Sequence, residues 1–213
     1  MIDRTGPRAK QRKGITIIEV IVSLAILAVI GAAVLSTTNP ERESDQARVQ
    51  AVAEKLSVLR YAIAGHEPTQ AATSFRQTIG ALPSRLSQLT TPISTAQTNS
   101  CGQAYSGNGA GTQVAIWLIS GPYYTFEMKA AGTPLGQGFT PQDMLIKTPV
   151  GVPPIGNQAG TLTIRFPSVE IDDANALELI VDGTVNTAAG HVRFTPAGSA
   201  PVQVDYLMSV YGC

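Results

Sequence analysis

The sequence has few of the residues on which catalysis and metal binding usually depend. Of its 213 residues, 14% are charged, two are histidines and two are cysteines. His66 and His191 lie far apart and lack the ligand spacing of a zinc site, so we expect exposed or structural positions for both. No nucleophile stands in a pattern with a general base. These absences argue against an enzyme, and we expect no cofactor and no metal ion.

Two further patterns are too weak to define a ligand site. GNGAG, residues 107–111, lacks the complete dinucleotide-binding pattern with its preceding strand and following helix, so we expect a flexible loop there. Four acidic residues could approach one another around a strand pair and hold calcium, although their spacing matches no EF-hand loop. Solvated turns and strand edges are the alternative positions for these acids, which are Asp172, Asp173, Glu178 and Asp182.

The formal net charge of zero hides an uneven distribution. The first fourteen residues hold five basic side chains and one acidic side chain, which leaves 10 basic and 14 acidic residues in 15–213. Nucleic-acid binding depends on basic patches that neutralise phosphates. We therefore expect no general binding of nucleic acid.

A long apolar run follows the basic leader. From Ile15 to Leu35, every residue except Thr16, Glu19 and Ser23 is apolar or glycine. At about 1.5 Å per residue, these 21 residues reach roughly 31 Å as a helix, close to the hydrocarbon thickness of a bilayer. Basic residues flank the cytoplasmic end of such helices. We expect a single transmembrane helix over 15–38, with the N-terminus in the cytoplasm.

Glu19 is unusual at this place because a carboxylate at the centre of a membrane helix costs roughly 2.5 to 3.5 kcal/mol on insertion scales, and less near an interface. It therefore needs a partner, and the basic leader is one candidate. Cleavage between Gly14 and Ile15 would create a second candidate, an α-ammonium four residues before the acid. In a bundle of such helices, a neighbour's Glu19 could meet this ammonium in low dielectric. Glu19 is then an assembly residue.

These residues carry a family resemblance. The basic leader ending in Gly14, followed by ITIIEVIVSLAILAVIGAAVL, resembles the N-terminal segment of type IV pilins and type II secretion pseudopilins. The resemblance covers about Lys10 to Leu35. It implies cleavage after Gly14 by a prepilin peptidase, N-methylation of Ile15, and a helix that serves first as membrane anchor and then as filament core. Glu19 takes the family's acidic position, whereas Ile15 stands where phenylalanine is most common.

The resemblance also implies partners and a location. The expected partners are other pilin or pseudopilin subunits, the prepilin peptidase and an inner-membrane assembly platform. The expected location is the bacterial inner membrane, with the globular domain in the periplasm, and afterwards a periplasmic or surface filament. A different function remains open, namely a membrane-anchored periplasmic binding protein with an uncleaved N-terminal anchor.

Three other interpretations of the N-terminal segment exist. A Sec signal peptide could be cleaved near Gly31 to Ala33, but it gives Glu19 no role. A plain membrane anchor explains neither Glu19 nor Gly14 beside Ile15. A buried helix of a soluble protein leaves the basic leader and the length of the run without a function.

A second helix is expected over 39–65. TTNPERE places Asn39 at a helix cap and Pro40 at the first helical position, although a kinked continuation of the preceding helix is equally compatible. Apolar residues then recur with helical spacing until Gly65 and Pro68. This stripe favours packing on a sheet over a coiled coil, which would need more heptads. The stripe consists of Val49, Val52, Leu56, Leu59 and Ile63.

Residues 66–213 are expected to form a loop-rich antiparallel β domain. Residues 66–113 are mostly loop, with a short helix at 84–89, and VDG at 181–183 is a turn signal. One face of a strand should hold Leu162, Ile164 and Phe166, and one face of the last strand Val202, Val204, Tyr206 and Met208. The predicted strands are 114–119, 123–128, 161–166, 176–181, 191–194 and 202–211.

The predicted fold class is therefore α+β, a long N-terminal helix packed on an antiparallel sheet, as in pilins. The expected domains are a cleaved leader over 1–14, the membrane or filament-core helix over 15–38, the amphipathic helix over 39–65 and the globular domain over 66–213. In an oxidising periplasm, Cys101 and Cys213 should form a disulfide. Two free thiols or an intermolecular bridge are the alternatives. Disulfides near the C-terminus are common in the pilin-like family.

Overall fold

A computed structural model describes residues 18, 20–22, 24–27, 40–65, 74–107, 109–129, 132–149, 159–196, 198 and 200–212. The chain divides into two units, Met1–Glu43 and Ser44–Cys213. In the first unit, the described residues 18, 20–22 and 24–27 are helical. The other residues of the predicted segment 15–38 lie outside the described part, so the prediction of one long helix stays a prediction. Within the described residues, no helix has the length and apolar character needed to cross a membrane.

Helix α1 spans Pro40–Ala64, which confirms the helix predicted over 39–65. All five residues of the predicted apolar stripe are at most 1% exposed. The helix ends where Gly65 adopts a positive φ of 63° and its N–H bonds the carbonyl of Tyr61. Glycine accepts this left-handed conformation without strain, which is why it ends helices so often. Asn39 and Pro68 lie outside the described residues.

Four antiparallel strands form one sheet in the order β1-β2-β4-β3. They are β1 (Ile146–Pro149), β2 (Ala159–Val169), β3 (Val192–Phe194) and β4 (Val202–Tyr211). The predicted strands over 161–166, 191–194 and 202–211 are thus confirmed, and the side chains expected on the inner faces of β2 and β4 are buried. Their alternation with more exposed residues matches the period of two in a half-buried strand.

Three predicted strands are wrong. Residues 114–119 belong to helix α3 (Gln113–Ser120), and residues 176–181 belong to helix α4 (Ile171–Asp182). In α4, two acids in the first turn complement the helix dipole, and Gly183 ends the helix with a φ of 74°. Residues 123–128 form no strand because their backbone bonds to another segment. Tyr123 N–H donates to the Leu89 carbonyl at 2.8 Å, and Met128 N–H donates to Thr90 Oγ1 at 3.0 Å.

The described residues between α1 and α3, 74–107 and 109–112, contain two short helical elements. Helix α2 (Phe75–Ile79), which sequence reasoning missed, begins with a capping box formed by Ser74 and Gln77. A 3-10 helix at Leu86–Leu89 lies inside the predicted 84–89. It is held by Asp143, whose carboxylate accepts hydrogen bonds from the Ser87 N–H at 2.7 Å and the Ser87 hydroxyl at 3.0 Å.

Helix α1 and the sheet share one hydrophobic core. The stripe of α1 belongs to the same buried cluster as the inner faces of β2 and β4. The helix also lies close to the loop before β1, since a Cβ added to Gly136 would come within 2.6 Å of Val52 Cγ2. The apolar stripe of α1 therefore packs in the core of its own domain, which agrees with the predicted packing of helix on sheet.

Candidate functional site

The residues predicted to control processing and assembly lie outside the part of the chain that the structure describes. Gly14, Ile15 and Glu19 are not among the described residues, and neither are Cys213 and the leader 1–14. Cys101 is described. The processing site, the assembly role of Glu19 and the disulfide partner therefore stay predictions.

The described part of the N-terminal helix presents apolar side chains to its surroundings. Exposure ranges from 47% at Val20 to 69% at Ile18. Apolar side chains exposed in this number on a helix favour a covering partner, either lipid or other protein helices. The exposed large apolar residues are Ile18, Val20, Ile21, Val22, Leu24, Ile26 and Leu27.

Arg48 attaches the first half of α1 to the rest of the domain. Its guanidinium donates to Asp173 Oδ1 at 2.7 Å and to the Gln137 carbonyl at 2.6 Å. The hydrogen bond that Arg48 donates to Asp173 raises the pKa of Arg48, while partial burial opposes this rise. Asp45 lies farther away at 3.4 Å and is exposed. The contact with Asp173, which is almost buried, is the one that fixes the helix against α4.

Two further basic residues attach the second half of α1. Lys55 Nζ donates to the Leu135 carbonyl at 2.5 Å and lies 5.4 Å from the centre of the Phe126 ring, within the range of a cation–π contact. Arg60 lies near Tyr206 on β4. Burial raises the pKa of Tyr206, and the nearby charge and hydrogen bond of Arg60 counteract that rise. The second half of α1 therefore contacts the rest of the globular domain at several points.

Cys101 lies beside the C-terminal end of β4. Lys147 Nζ donates both to Cys101 Sγ at 3.3 Å and to the carbonyl of Gly212. The Cys101 N–H donates to Asn99 Oδ1 at 2.9 Å, which orders the cysteine loop. Burial lowers the pKa of Lys147, and the charge of Arg76 lowers it further. The described residues contain no free cysteine. Lys147 thus contacts both Cys101 and Gly212, and Gly212 is the residue directly before Cys213.

The four acids considered for calcium all lie on helix α4, so both positions considered for them, around a strand pair and at turns or strand edges, are wrong. Asp173 pairs with Arg48, as described above. Glu178 is fully buried, with Oε1 accepting the Asn186 N–H at 2.6 Å. Asp182 accepts the backbone N–H groups of His191 and Val192 at 2.9 Å, whereas Asp172 is exposed. Within the described ranges, no three metal-ligating side chains come together.

The structure describes one of the two histidines and most of the glycine loop. His191 Nδ1 lies 3.0 Å from the Leu207 carbonyl, so its contacts are structural, and His66 lies outside the described residues. The described part of GNGAG, 107 and 109–111, precedes α3. A helix therefore follows this loop, contrary to the expectation, whereas the described residues before the loop contain no strand of the sheet.

An open polar cleft of about 520 Å³ lies between the 3-10 helix, the loop around residue 97 and residues 127–129. Glu127 and Lys129 place one acidic and one basic side chain in the lining of this cleft. The cleft offers hydroxyl, amide and charged groups together with a somewhat smaller apolar surface, so it suits a ligand that carries both polar and apolar groups. Its polar lining includes Arg85, Ser87, Thr91, Gln97, Glu127 and Lys129.

Sequence reasoning missed the contacts of Arg48, Lys55 and Lys147. The partners of Arg48 lie 89 and 125 residues away, and that of Lys55 lies 80 residues away. Spacing along the chain carries no signal for contacts at such a separation. The position of Arg48 and Lys55 at the edges of the apolar stripe was visible and could have marked them as contact residues.

Comparison with known protein families identifies the N-terminal segment. Residues 9–35 match the prokaryotic N-terminal methylation motif, the signature of type IV pilins and pseudopilins. The resemblance found in the sequence is thereby confirmed. This motif is typical of pilin-like proteins, which a prepilin peptidase processes and which assemble with other pilin subunits. No curated protein and no solved structure matches the chain.

Proposed function

We propose that the chain is a non-enzymatic structural subunit, a pseudopilin or minor pilin, of a type IV pilus-like or type II secretion filament. The observation that carries this proposal is the N-terminal methylation motif over residues 9–35. The exposed apolar side chains among residues 18, 20–22 and 24–27 support it because a filament core would cover them. The motif is consistent with a subunit that is first anchored in a membrane and then part of a filament outside the cytoplasm.

In the proposed mechanism, the subunit is inserted with its leader in the cytoplasm and its globular domain in the periplasm. The prepilin peptidase cuts after Gly14, and the new amine of Ile15 is methylated. Glu19 of one subunit then pairs with the terminal ammonium of a neighbour, and this pairing sets the register of the helical bundle. An inner-membrane assembly platform would supply the subunits to the filament.

The N-terminal mass of the chain recovered from membranes tests this proposal. We expect a chain that begins at Ile15 and carries one methyl group on its amine. A Gly14→Leu variant, which places a bulky side chain at the cleavage junction, is the matched control and should retain the leader. A start at Met1, or a start after Ala33, in the unaltered chain would contradict the proposal.

The polar cleft favours a second candidate, a membrane-anchored periplasmic binding protein. Its volume of about 520 Å³ lies within the range of small-molecule sites, although such sites are usually more apolar. In this case the leader would be retained and no filament would form. The same mass measurement separates the two candidates, because an intact Met1 favours the binding protein.

A further inference from the structure

Three charged residues from distant parts of the sequence meet at the polar cleft. In residues 85–129 the only charged side chains are those of Arg85, Glu127 and Lys129, and they flank an uncharged stretch of 41 residues. All three line the cleft. A few polar and charged groups that converge on one concave site are typical of ligand binding. This convergence points to a ligand of complementary charge.

The 3-10 helix holds both walls of the cleft in place. Gln88, which is 1% exposed, donates through Nε2 to the Thr98 carbonyl at 3.3 Å, and the Ser84 hydroxyl donates to the same carbonyl at 2.6 Å. At the other wall, Thr90 Oγ1 accepts the N–H of Met128 at 3.0 Å. A cleft with walls fixed in this way is formed before a ligand arrives, so binding costs little ordering of the protein.

The guanidinium of Arg85 is in a position to bind an anion. Its Nη1 lies 3.5 Å from Asp143 Oδ2, which is longer than an ordinary N–H···O hydrogen bond, and its side chain is 49% exposed. Asp143 is almost fully buried and is bonded more closely by the N–H and the hydroxyl of Ser87. Arg85 can therefore form a stronger, two-pronged contact with a carboxylate that enters the cleft.

The lining of the cleft narrows the chemistry of the ligand. Two basic side chains face one acidic side chain, so the cleft favours a ligand with a negative group. The hydroxyl and amide groups of Ser87, Thr91 and Gln97 match the N–H and C=O groups of a peptide backbone. Because the cleft is open, an extended segment that crosses it buries more surface than a small free molecule does. A nucleic acid is disfavoured, since Glu127 would repel its phosphates.

We propose that the cleft binds an extended peptide segment of another protein that carries a carboxylate. Arg85 and Lys129 bind the carboxylate, and Glu127 accepts N–H groups of the same peptide. Charge-assisted hydrogen bonds of this kind are stronger than those between neutral groups. The inference goes beyond the proposed filament role, because it concerns the globular domain alone and requires neither processing after Gly14 nor assembly.

Selection from a random hexapeptide library tests the proposal. The full-length chain, purified from membranes in detergent, is immobilised and washed at low salt, so that contacts between exposed charges are retained. We expect the bound peptides to be enriched in Asp and Glu and depleted in Lys and Arg. A bound pool with the composition of the input library, or one enriched in basic residues, would overturn the proposal. So would tighter binding of a galacturonate trisaccharide than of any selected peptide.

Variants of the cleft locate the bound carboxylate. Arg85→Gln and Lys129→Gln, both at exposed positions, should each raise the Kd of a selected peptide roughly tenfold, because each removes a charge-assisted hydrogen bond. Arg193→Gln removes an equal charge at an exposed position of β3 outside the cleft and is the matched control, so it should leave the Kd unchanged. Equal losses of affinity in all three variants, or no loss in either cleft variant, would overturn the inference.

A charge reversal gives a readout that a loss of folding cannot produce. The double variant Arg85→Glu and Lys129→Glu should select peptides enriched in Lys and Arg from the same library, and unchanged selection of acidic peptides would overturn the inference. The N-terminal mass is measured on the same preparation of the unaltered chain. If the leader is retained while acidic peptides bind, the filament role fails and the inference stands; if the chain begins at Ile15 and no acidic peptide is enriched, the inference alone fails.

Discussion

At the scale of single residues, assembly is proposed to depend on Glu19, which lies outside the described part of the structure. We predict that Glu19→Val leaves membrane abundance and cleavage unchanged, because removal of a carboxylate lowers the cost of insertion. Filament recovery should fall because the new terminus of a neighbour loses its partner. Ser23→Ala removes a polar group from the same run without removing a charge and is the control. Normal incorporation of the Glu19 variant at normal abundance would contradict the register role.

Tyr105 shows what burial does to an ionisable side chain. Burial raises the pKa of Tyr105 above its ordinary value of 10.0, and its hydroxyl donates to Gln88 Oε1 at 3.0 Å. The unfolded chain therefore releases this proton first as the pH rises. The contribution of Tyr105 to stability is fully present below about pH 10 and is lost as the pH rises above that value.

We predict that Tyr105→Phe costs about 1 kcal/mol at neutral pH, since one hydrogen bond is lost, but weakens the decline of stability above about pH 10. Urea unfolding of the chain at neutral and alkaline pH measures both effects. Tyr211→Phe is the control because Tyr211 is 57% exposed. An alkaline decline as steep in the Tyr105 variant as in the unaltered chain would contradict the argument.

At the scale of elements, α1 provides the largest continuous contribution to the core. We predict that Leu56→Ala, which leaves a cavity at a position of 0% exposure, destabilises the domain by about 2–5 kcal/mol. Val58→Ala on the same helix should cost little because Val58 is 52% exposed. Denaturant unfolding of both variants provides the comparison. Equal effects would mean that the outer face of α1 is also covered.

The same helix shows what the sequence can predict about elements. A stripe with helical spacing and a glycine at its end located α1, and strict alternation located β2 and β4. The apolar runs 114–119 and 176–181 carry no such period, and a short apolar run fits a strand and a buried helix equally well. The decisive signals stood outside those runs. Asp172 and Asp173 mark the start of α4, and Gly183 marks its end.

At the scale of the whole molecule, one part of the candidate site could be predicted from the sequence and another part could not. The junction of Gly14 and Ile15 and the acid at position 19 form a contiguous pattern, so they could be identified without a structure. The attachment of α1 could not, because Arg48 meets Asp173 only after the chain has folded. The contacts around Cys101 could not be predicted for the same reason, because Lys147 and Gly212 lie far from Cys101 along the chain.

The proposed disulfide between Cys101 and Cys213 connects two distant parts of the molecule. Lys147 contacts both Cys101 Sγ and the Gly212 carbonyl, which brings the end of β4 to the cysteine loop. A bond between residues 101 and 213 would close a loop for which the chain-entropy model gives roughly 4–5 kcal/mol of stabilisation, less any strain. It would hold β4, one of the two central strands of the sheet, against the loop-rich segment.

We predict that non-reduced chain folded in the periplasm contains no thiol that reacts with an alkylating reagent and migrates as a monomer. After reduction, two alkyl groups should add, and the midpoint of denaturant unfolding should fall. Cys101→Ser and Cys213→Ser should each lower that midpoint as much as the double variant does, because either change removes the whole bond. Two alkylated thiols in the non-reduced monomer, or a covalent dimer through these cysteines, would rule out the intramolecular bond. Additive effects of the two serine variants would instead indicate that the cysteines contribute separately, as buried side chains, and that the contact at Lys147 holds β4 without a covalent bond.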